Sequence, residues 1–216
     1  MAEPADLRIL SRDRLAGDEA ERFVAIYEGS FPASERDESA SLLASIAAGE
    51  RRCEVALAGE ALVGLAVLLP LRGLPVWYLE YLAIDPSWRS RGIGSRLLGR
   101  IREQSLADPD RIEGVVFEVD PPEAATGPER AIRERRISMY TRNGATVVAD
   151  APRYRAPVLD GEGTLPFTLM WLPVGDGVPH LEGGRLRSSV AAILTQSYEL
   201  AEDDPLLAGV VDDLIV

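Results

Sequence analysis

The sequence predicts a mixed α/β fold: a central, mostly antiparallel sheet flanked by helices, with a helical extension at the C-terminus. Three observations lead there. The periodicities run helix pair, antiparallel strands, helix, strand, helix, strands, not the strict alternation of a doubly wound sheet. An apolar strand is broken by Asp85-Pro86 and followed by a glycine-containing loop at the mouth of an amphipathic helix. From Gly175 the composition turns rich in glycine and proline before two more helical patterns. This shift predicts one domain over residues 1–174 and a linker with a two-helix extension over 175–216.

Leu7–Leu10 reads as a short strand. Asp18–Gly29 reads as a helix with Phe23, Ile26 and Tyr27 at helical spacing, broken by Phe31-Pro32. A second helix over Ser39–Ala48 carries Leu42, Leu43 and Ile46 on one face. Cys53, Val55 and Leu57 alternate with Arg52, Glu54 and Ala56, the pattern of a half-buried strand. After the Gly59-Glu60 turn, Ala61–Leu69 reads as a strand buried on both faces and ended by Pro70. Gly73 and Pro75 mark a turn before the strand Val76–Ile84. The helix opening at Gly92 carries Ile93, Leu97, Leu98 and Ile101 on one face. Gly114–Val119 is a strand ended by Pro121-Pro122. Pro128 suits the first position of a helix to Asn143, and Gly144 its left-handed cap. Ala145–Ala149 reads as a strand, Ala151–Thr164 as a loop and Pro166–Leu172 as a last strand. Beyond the linker, one helix has Leu186, Val190, Ile193 and Leu194. The other has Leu206, Leu207, Val210, Val211 and Leu214, with Asp204 as N-cap and Pro205 at its first position.

Composition excludes several function classes. At 216 residues the chain buries roughly 70% of its unfolded surface and needs no staples. A net charge of −12 repels phosphate backbones and favours a cationic partner, so no nucleic-acid partner is expected. All 23 basic residues are arginine, which excludes lysine Schiff-base and Walker-type chemistry. Cys53 is the only cysteine, so no intramolecular disulfide or cysteine–histidine metal cluster forms, and no metal is expected. The start of the chain has no signal-peptide pattern, and the longest apolar stretch, Ala61–Leu71, is too short to span a bilayer. The expectation is a cytoplasmic protein without a membrane partner. Cys53 alternates with core residues and reads as packing; His180 reads as a surface residue.

The informative segment is Trp77–Arg100, in which Arg89-Ser90-Arg91-Gly92-Ile93-Gly94 stands at the mouth of a helix. Glycines let backbone approach a ligand, and the free N–H groups of a first helical turn point at it. The helix dipole adds roughly 0.3–2 kcal/mol for a negative group there. Arg89 and Arg91 add positive charge. A pyrophosphate fits such a cradle. A dinucleotide fingerprint does not, because Leu97 stands where its third glycine belongs and several residues separate Ile84 from Gly92.

The segment resembles the acyl-CoA signature of the GNAT superfamily of N-acyltransferases, Gln/Arg-x-x-Gly-x-Gly/Ala, which Arg89, Gly92 and Gly94 match. Ser138–Ala145 resembles the family's late-helix pattern of aromatic-Tyr-x-x-x-Gly-aromatic, with Met139 and Ala145 as departures. The resemblance covers roughly residues 7 to 172. It implies acetyl-CoA as co-substrate, an amine acceptor, and direct attack on the thioester. It also implies coenzyme contacts along Leu82, Ala83 and Ile84, along Arg89, Ser90, Arg91, Gly92, Ile93, Gly94 and Ser95, and at Asn143. Tyr140 occupies the general-acid position, and a phenol of pKa about 10 matches a departing thiolate. Glu80, on one strand face with Tyr78, is placed as base or acceptor-binding residue. A carboxylate in the apolar run WYLEYLAI is costly to bury without purpose; the alternative is pairing with an arginine or backbone amides.

Other residues stay open. Glu118 and Asp120 could bind a cationic acceptor or pair with arginines. Glu35 and Arg36, in SFPASER, lie where GNAT enzymes shape the acceptor site. Arg130, Arg133, Arg135 and Arg136 could meet the coenzyme's 3′-phosphate or form a solvated face. A non-catalytic acyl-CoA sensor of the same fold is the alternative function. The apolar stripes of the C-terminal helices must be buried on the core, at the acceptor cleft or in a homodimer.

Overall fold

The computed structural model describes residues 6–215; Met1–Ala5, on which the signal-peptide reading partly rests, lies outside them. In chain order the elements are β1 (Leu7–Arg12), α1 (Gly17–Ser30), α2 (Ser39–Ala47), β2 (Arg52–Ala58), β3 (Ala61–Pro70), β4 (Val76–Ile84) and α3 (Ile93–Ala107). There follow β5 (Gly114–Val119), α4 (Gly127–Arg142), β6 (Thr146–Val147), β7 (Arg155–Pro157), β8 (Thr164–Pro166), β9 (Thr168–Pro173), α5 (Gly183–Gln196) and α6 (Pro205–Asp212). Seven strands form one mostly antiparallel sheet in the order β1-β2-β3-β4-β5-β9-β6, and β7 and β8 pair separately. The chain divides into two units. The first holds the residues up to Pro70 with Leu79–Gln104 and Leu159–Gly161; the second holds Leu71–Tyr78, Ser105–Val158 and the chain from Glu162 on.

In the first unit β1, β2 and β3 form an antiparallel meander running from Leu7 opposite Ala58 to Arg52 opposite Leu68. Cys53, Val55 and Leu57 face α1 and α2, in a cluster with Phe23, Ile26, Tyr27, Leu42 and Ile46. Each such apolar side chain contributes roughly 1.5–3 kcal/mol by leaving water. The opposite face of β2 is also covered. Glu54 is only 4% exposed, accepts from Ser11 Oγ at 2.7 Å and lies 3.4 Å from Arg100 of α3. From Cys53 to Leu57 the strand expected to be half-buried is therefore buried on both faces, because α3 brings an arginine to its one acidic position. The register shifts between Ala56, opposite Gly64, and Leu57, opposite Leu62, so Val63 is an extra residue in β3. Its carbonyl accepts from Asp85 N–H at 2.9 Å, which fixes the point where β4 ends.

In the second unit β9 lies between β5 and β6, both antiparallel to it. Gly114 is required by packing: a Cβ there would stand 2.2 Å from the Trp171 ring. Gly144 ends α4 with a φ of +90°, the left-handed cap the sequence predicts. Asp204 caps α6, accepting from Leu206 N–H at 2.7 Å, with Pro205 at the first position. Leu186, Val190, Ile193 and Leu194 of α5 are buried. The segment 145–173 departs from expectation. The strand expected over Ala145–Ala149 is only Thr146–Val147, and the expected loop contains the β7–β8 hairpin. Pro166 belongs to β8, with β9 beginning at Thr168 after Phe167 N–H bonds the Tyr154 carbonyl at 3.1 Å. Three-residue strands that carry Pro157 and Pro166 show no readable period.

Candidate active site

The loop after β4 is held at both ends. Asp85 accepts from Ser87 N–H at 2.8 Å and from the Ser87 hydroxyl, and it pairs with Arg22 of α1, whose Nε also reaches the Leu62 carbonyl. The Ser87 bonds, chiefly, with Arg22 hold the Asp85 carboxyl below the usual aspartate range against the opposing effect of burial. Past this anchor the backbone turns left-handed at Ser90, φ +62°, and again at Gly92, φ +78°. A non-glycine residue in that region is strained, and such strain concentrates at ligand-binding loops. Arg96 N–H bonds the Gly92 carbonyl at 3.1 Å, so the N–H groups of Gly92, Ile93 and Gly94 precede the helical ladder. Ile93 is buried beneath the loop, while Gly94 and Ser95 are half-buried and Arg89, Ser90, Arg91 and Gly92 exposed. Arg89 donates to the Ile84 carbonyl at 3.1 Å; Arg91 stacks on Trp88, 4.7 Å from the ring centroid. Gly64 lets β3 pass close below: a Cβ there would stand 2.7 Å from Ile84 Cδ1 and 3.4 Å from Ile93 Cγ2. Two arginines, two left-handed residues and a helix start make a cradle that fits a pyrophosphate.

Glu80 has the partner that the arginine reading allows for, and sequence reasoning missed which one. Arg51 donates from Nε to one Glu80 oxygen at 2.6 Å and from an NH2 group to the other at 3.1 Å, and bonds Asp37 at 3.1 Å. The Glu80 side chain is 3% exposed and that of Arg51 14%. Glu80 as a whole is only half-buried, so its exposure belongs to the main chain. Burial alone would lower the Arg51 guanidinium; Glu80, with Asp37, outweighs it and holds Arg51 above its ordinary range. Tyr81 accepts from Asp37 N–H at 3.1 Å and Tyr27 donates to the Asp37 carbonyl at 3.1 Å, so aromatic side chains brace the α1–α2 connection. Burial first, then Asp37, raises the Tyr81 hydroxyl; burial also raises that of Tyr27. In the same unit Leu159 N–H donates to the Ser34 carbonyl at 2.9 Å, and Arg36 lies over the Tyr27 ring. Leu82 and Ile84 are half-buried and Ala83 is buried on the α1–α2 side.

In the second unit Tyr140 of α4 is 6% exposed and tilts against Phe117 of β5 at 4.5 Å between centroids. Burial, only partly opposed by Arg136, pushes its pKa up to about 12. Asn143 donates from its amide to the Met139 carbonyl at 2.8 Å, the bond of a helix terminator. Glu118 accepts from Tyr154 at 2.5 Å and from Tyr198 at 2.7 Å, while Asp120 pairs with Arg136 at 2.5 Å. Arg130 and Arg133 pair with Glu134 and Glu129 along their own helix. Tyr154 and Tyr198 carried no sequence signal, since 36 and 80 positions separate them from Glu118. Among the described residues no helix is long and apolar enough to cross a membrane.

A model of the acetyltransferase (GNAT) family matches residues 20–126. Residues 20–126 therefore form a domain of this family. No protein of curated function matches the sequence of this GNAT acetyltransferase. Among solved structures, a protein from Bacteroides thetaiotaomicron ascribed to the GNAT family is similar at TM-score 0.66 and 21% identity, over 90% of this chain and 99% of its own. An aminoglycoside 6′-N-acetyltransferase complexed with coenzyme A gives 0.60 and 18% over 79% and 99%. The ribosomal-protein-S18-alanine N-acetyltransferase from Escherichia coli gives 0.56 and 18% over 82% and 99%. At such identities these likenesses are ones of fold.

Proposed function

We propose that this protein transfers an acetyl group from acetyl-CoA to a primary amine by direct attack. The observation that carries this reading is the Arg89–Gly94 cradle, with Ser90 and Gly92 left-handed ahead of α3. Backbone N–H groups and two arginines supply donors and charge for the coenzyme's pyrophosphate. The coenzyme complex of a structural relative points the same way. The main chain at the half-buried Glu80, Leu82 and Ile84 is suited to hold the pantetheine and thioester portions.

The amine, having lost its ammonium proton to water, bonds to the thioester carbon. The carbon–sulfur bond then breaks, the departing sulfur takes the Tyr140 proton, and the proton that the nitrogen sheds as the amide forms passes through water to restore the Tyr140 phenol. A phenol with a pKa of about 12 is fully protonated at neutral pH and has that proton to give. Both oxygens of Glu80 are engaged by Arg51, which suits an anchor of the acceptor loop through Asp37 better than a proton acceptor. Asn143 serves through the end of α4 that it caps.

Calorimetric titration of acetyl-CoA into the wild type and Gly94→Trp, at low and moderate salt, tests the reading. Binding that weakens with salt and disappears in the variant is expected, with acetylated product from a primary-amine panel. A folded wild type that binds no acetyl-CoA overturns it; binding without transfer to any amine leaves an acyl-CoA sensor.

A further inference from the structure

The loop of the cradle is bonded back onto its own start. Trp88 N–H donates to the Asp85 carbonyl at 2.8 Å, Arg89 to the Ile84 carbonyl at 3.1 Å and Arg91 to the Ser87 carbonyl at 3.3 Å. Bonds within a loop fix its local shape but not its place in the molecule. Asp85 supplies the place, twice. Its N–H reaches the carbonyl of Val63, the extra residue in β3, and its carboxylate pairs with Arg22 of α1, 63 positions earlier. Arg22 also donates from Nε to the Leu62 carbonyl at 3.2 Å, so one guanidinium joins α1, β3 and the end of β4.

A guanidinium suits that task, because its donors are held in a planar fork. The Asp85 side chain is 11% exposed, so water cannot fully replace Arg22 there. One Asp85 oxygen faces Arg22 and the other holds Ser87 by its N–H and hydroxyl. The Ser87 carbonyl in turn receives Arg91. A line of contacts therefore runs from α1 through Asp85 and Ser87 to one arginine of the cradle. The loop needs such bracing: Ser90 is left-handed without being glycine, and strained backbone persists only where its surroundings over-determine it. The Arg22 side chain is itself 45% exposed, so its removal leaves no buried void and the fold should tolerate it.

Resting on the coenzyme reading of the Arg89–Gly94 cradle, we infer that Arg22 is a positioning residue for acetyl-CoA: acting through Asp85, it holds the loop in the shape that receives the pyrophosphate. Without Arg22 the coenzyme must order the loop as it binds, and its affinity falls by the cost of that ordering.

The test is calorimetric titration of acetyl-CoA into the full chain and its variants, with thermal unfolding to show that each is folded. Arg22→Met keeps the stem of the side chain and removes the fork; it should weaken acetyl-CoA about tenfold, the worth of one charge-assisted hydrogen bond. Arg22→Lys keeps a charge for Asp85 without the second reach to Leu62, so its loss should be smaller. Arg22→Met combined with Asp85→Asn should bind within about twofold of Asp85→Asn alone, because Arg22 acts through that carboxylate. A direct contact between Arg22 and a phosphate would instead make the two losses add. Arg12→Met, which breaks a different ion pair of α1, that of Arg12 with Glu19, should leave the affinity unchanged. Should Arg22→Met not fold, Arg22→Gln, which keeps a polar head without the charge, carries the same expectation. An unchanged affinity in the folded Arg22 variant, additive losses in the double variant, or an equal loss in Arg12→Met overturns the inference. A wild type that binds no acetyl-CoA sinks the acetyl-transfer reading and this inference with it. A wild type that binds, with Arg22→Met binding as tightly, sinks the inference alone.

Discussion

Replacing Arg51 with methionine keeps most of the side chain's apolar bulk and removes the guanidinium from Glu80. The Glu80 side chain is 3% exposed and Arg51 14%, so solvent cannot take over the lost bonds without rearrangement. Breaking one side of a buried pair costs about 3–5 kcal/mol, because the surviving charge stays in a poor dielectric. Asp37, with a side chain 24% exposed, can rehydrate and adds little. For a chain of this size each kcal/mol moves the melting midpoint by roughly 2–4 °C, so Arg51→Met should lower it by roughly 6–20 °C. The double variant Arg51→Met with Glu80→Gln should recover part of that loss, since a neutral amide is far cheaper to bury than an orphaned carboxylate. Thermal and urea unfolding of the wild type, both singles and the double measure this. A loss below about 1 kcal/mol, the worth of an exposed pair, would refute the buried network, as would strict additivity of the two substitutions.

Tyr140→Phe should lower kcat by about 10²–10⁴-fold with little change in the KM for acetyl-CoA, in steady-state assays with a fixed amine. With the Tyr140 pKa near 12, the wild-type kcat should show no alkaline fall from this group up to about pH 11. Asp85→Asn removes a carboxylate whose pKa is depressed in the folded state. That group stabilises the fold above its unfolded pKa of about 3.9 and ceases to as pH falls through its lower folded value. The wild type should therefore exceed the variant by about 1–2 kcal/mol above pH 5, a gap that closes below about pH 4 in urea titrations. Gly64→Val would press on Ile84 and Ile93 under the cradle, at 2.7 and 3.4 Å from the first new carbon alone. Acetyl-CoA affinity should fall in calorimetry together with about 1–3 kcal/mol of stability.

Local signals were sufficient wherever one element could be read without its neighbours. Val76–Ile84 and Gly114–Val119 have the bounds that their apolar runs and proline stops predict. Gly144 and Asp204-Pro205 act as the caps their residue types suit. The cradle was legible because a turn into a helix is encoded within a few residues, in Arg89, Gly92 and Gly94. The β7–β8 hairpin was not, because three-residue strands ending in proline carry too little periodicity to separate from a loop.

The sequence by itself determined the periodicities of the main elements, the arginine- and glycine-containing turn into α3 and the family to which they point, since each depends on residues near one another along the chain. Tertiary structure alone decided the partners. Glu54 is buried because α3 swings Arg100 over it; Glu80 is fixed because Arg51, 29 positions away, reaches both its oxygens. Glu118 is held because Tyr154 and Tyr198, 36 and 80 positions on, donate to its two oxygens. A carboxylate's chemistry depends on what surrounds it within a few ångströms, and those neighbours come from distant parts of the chain.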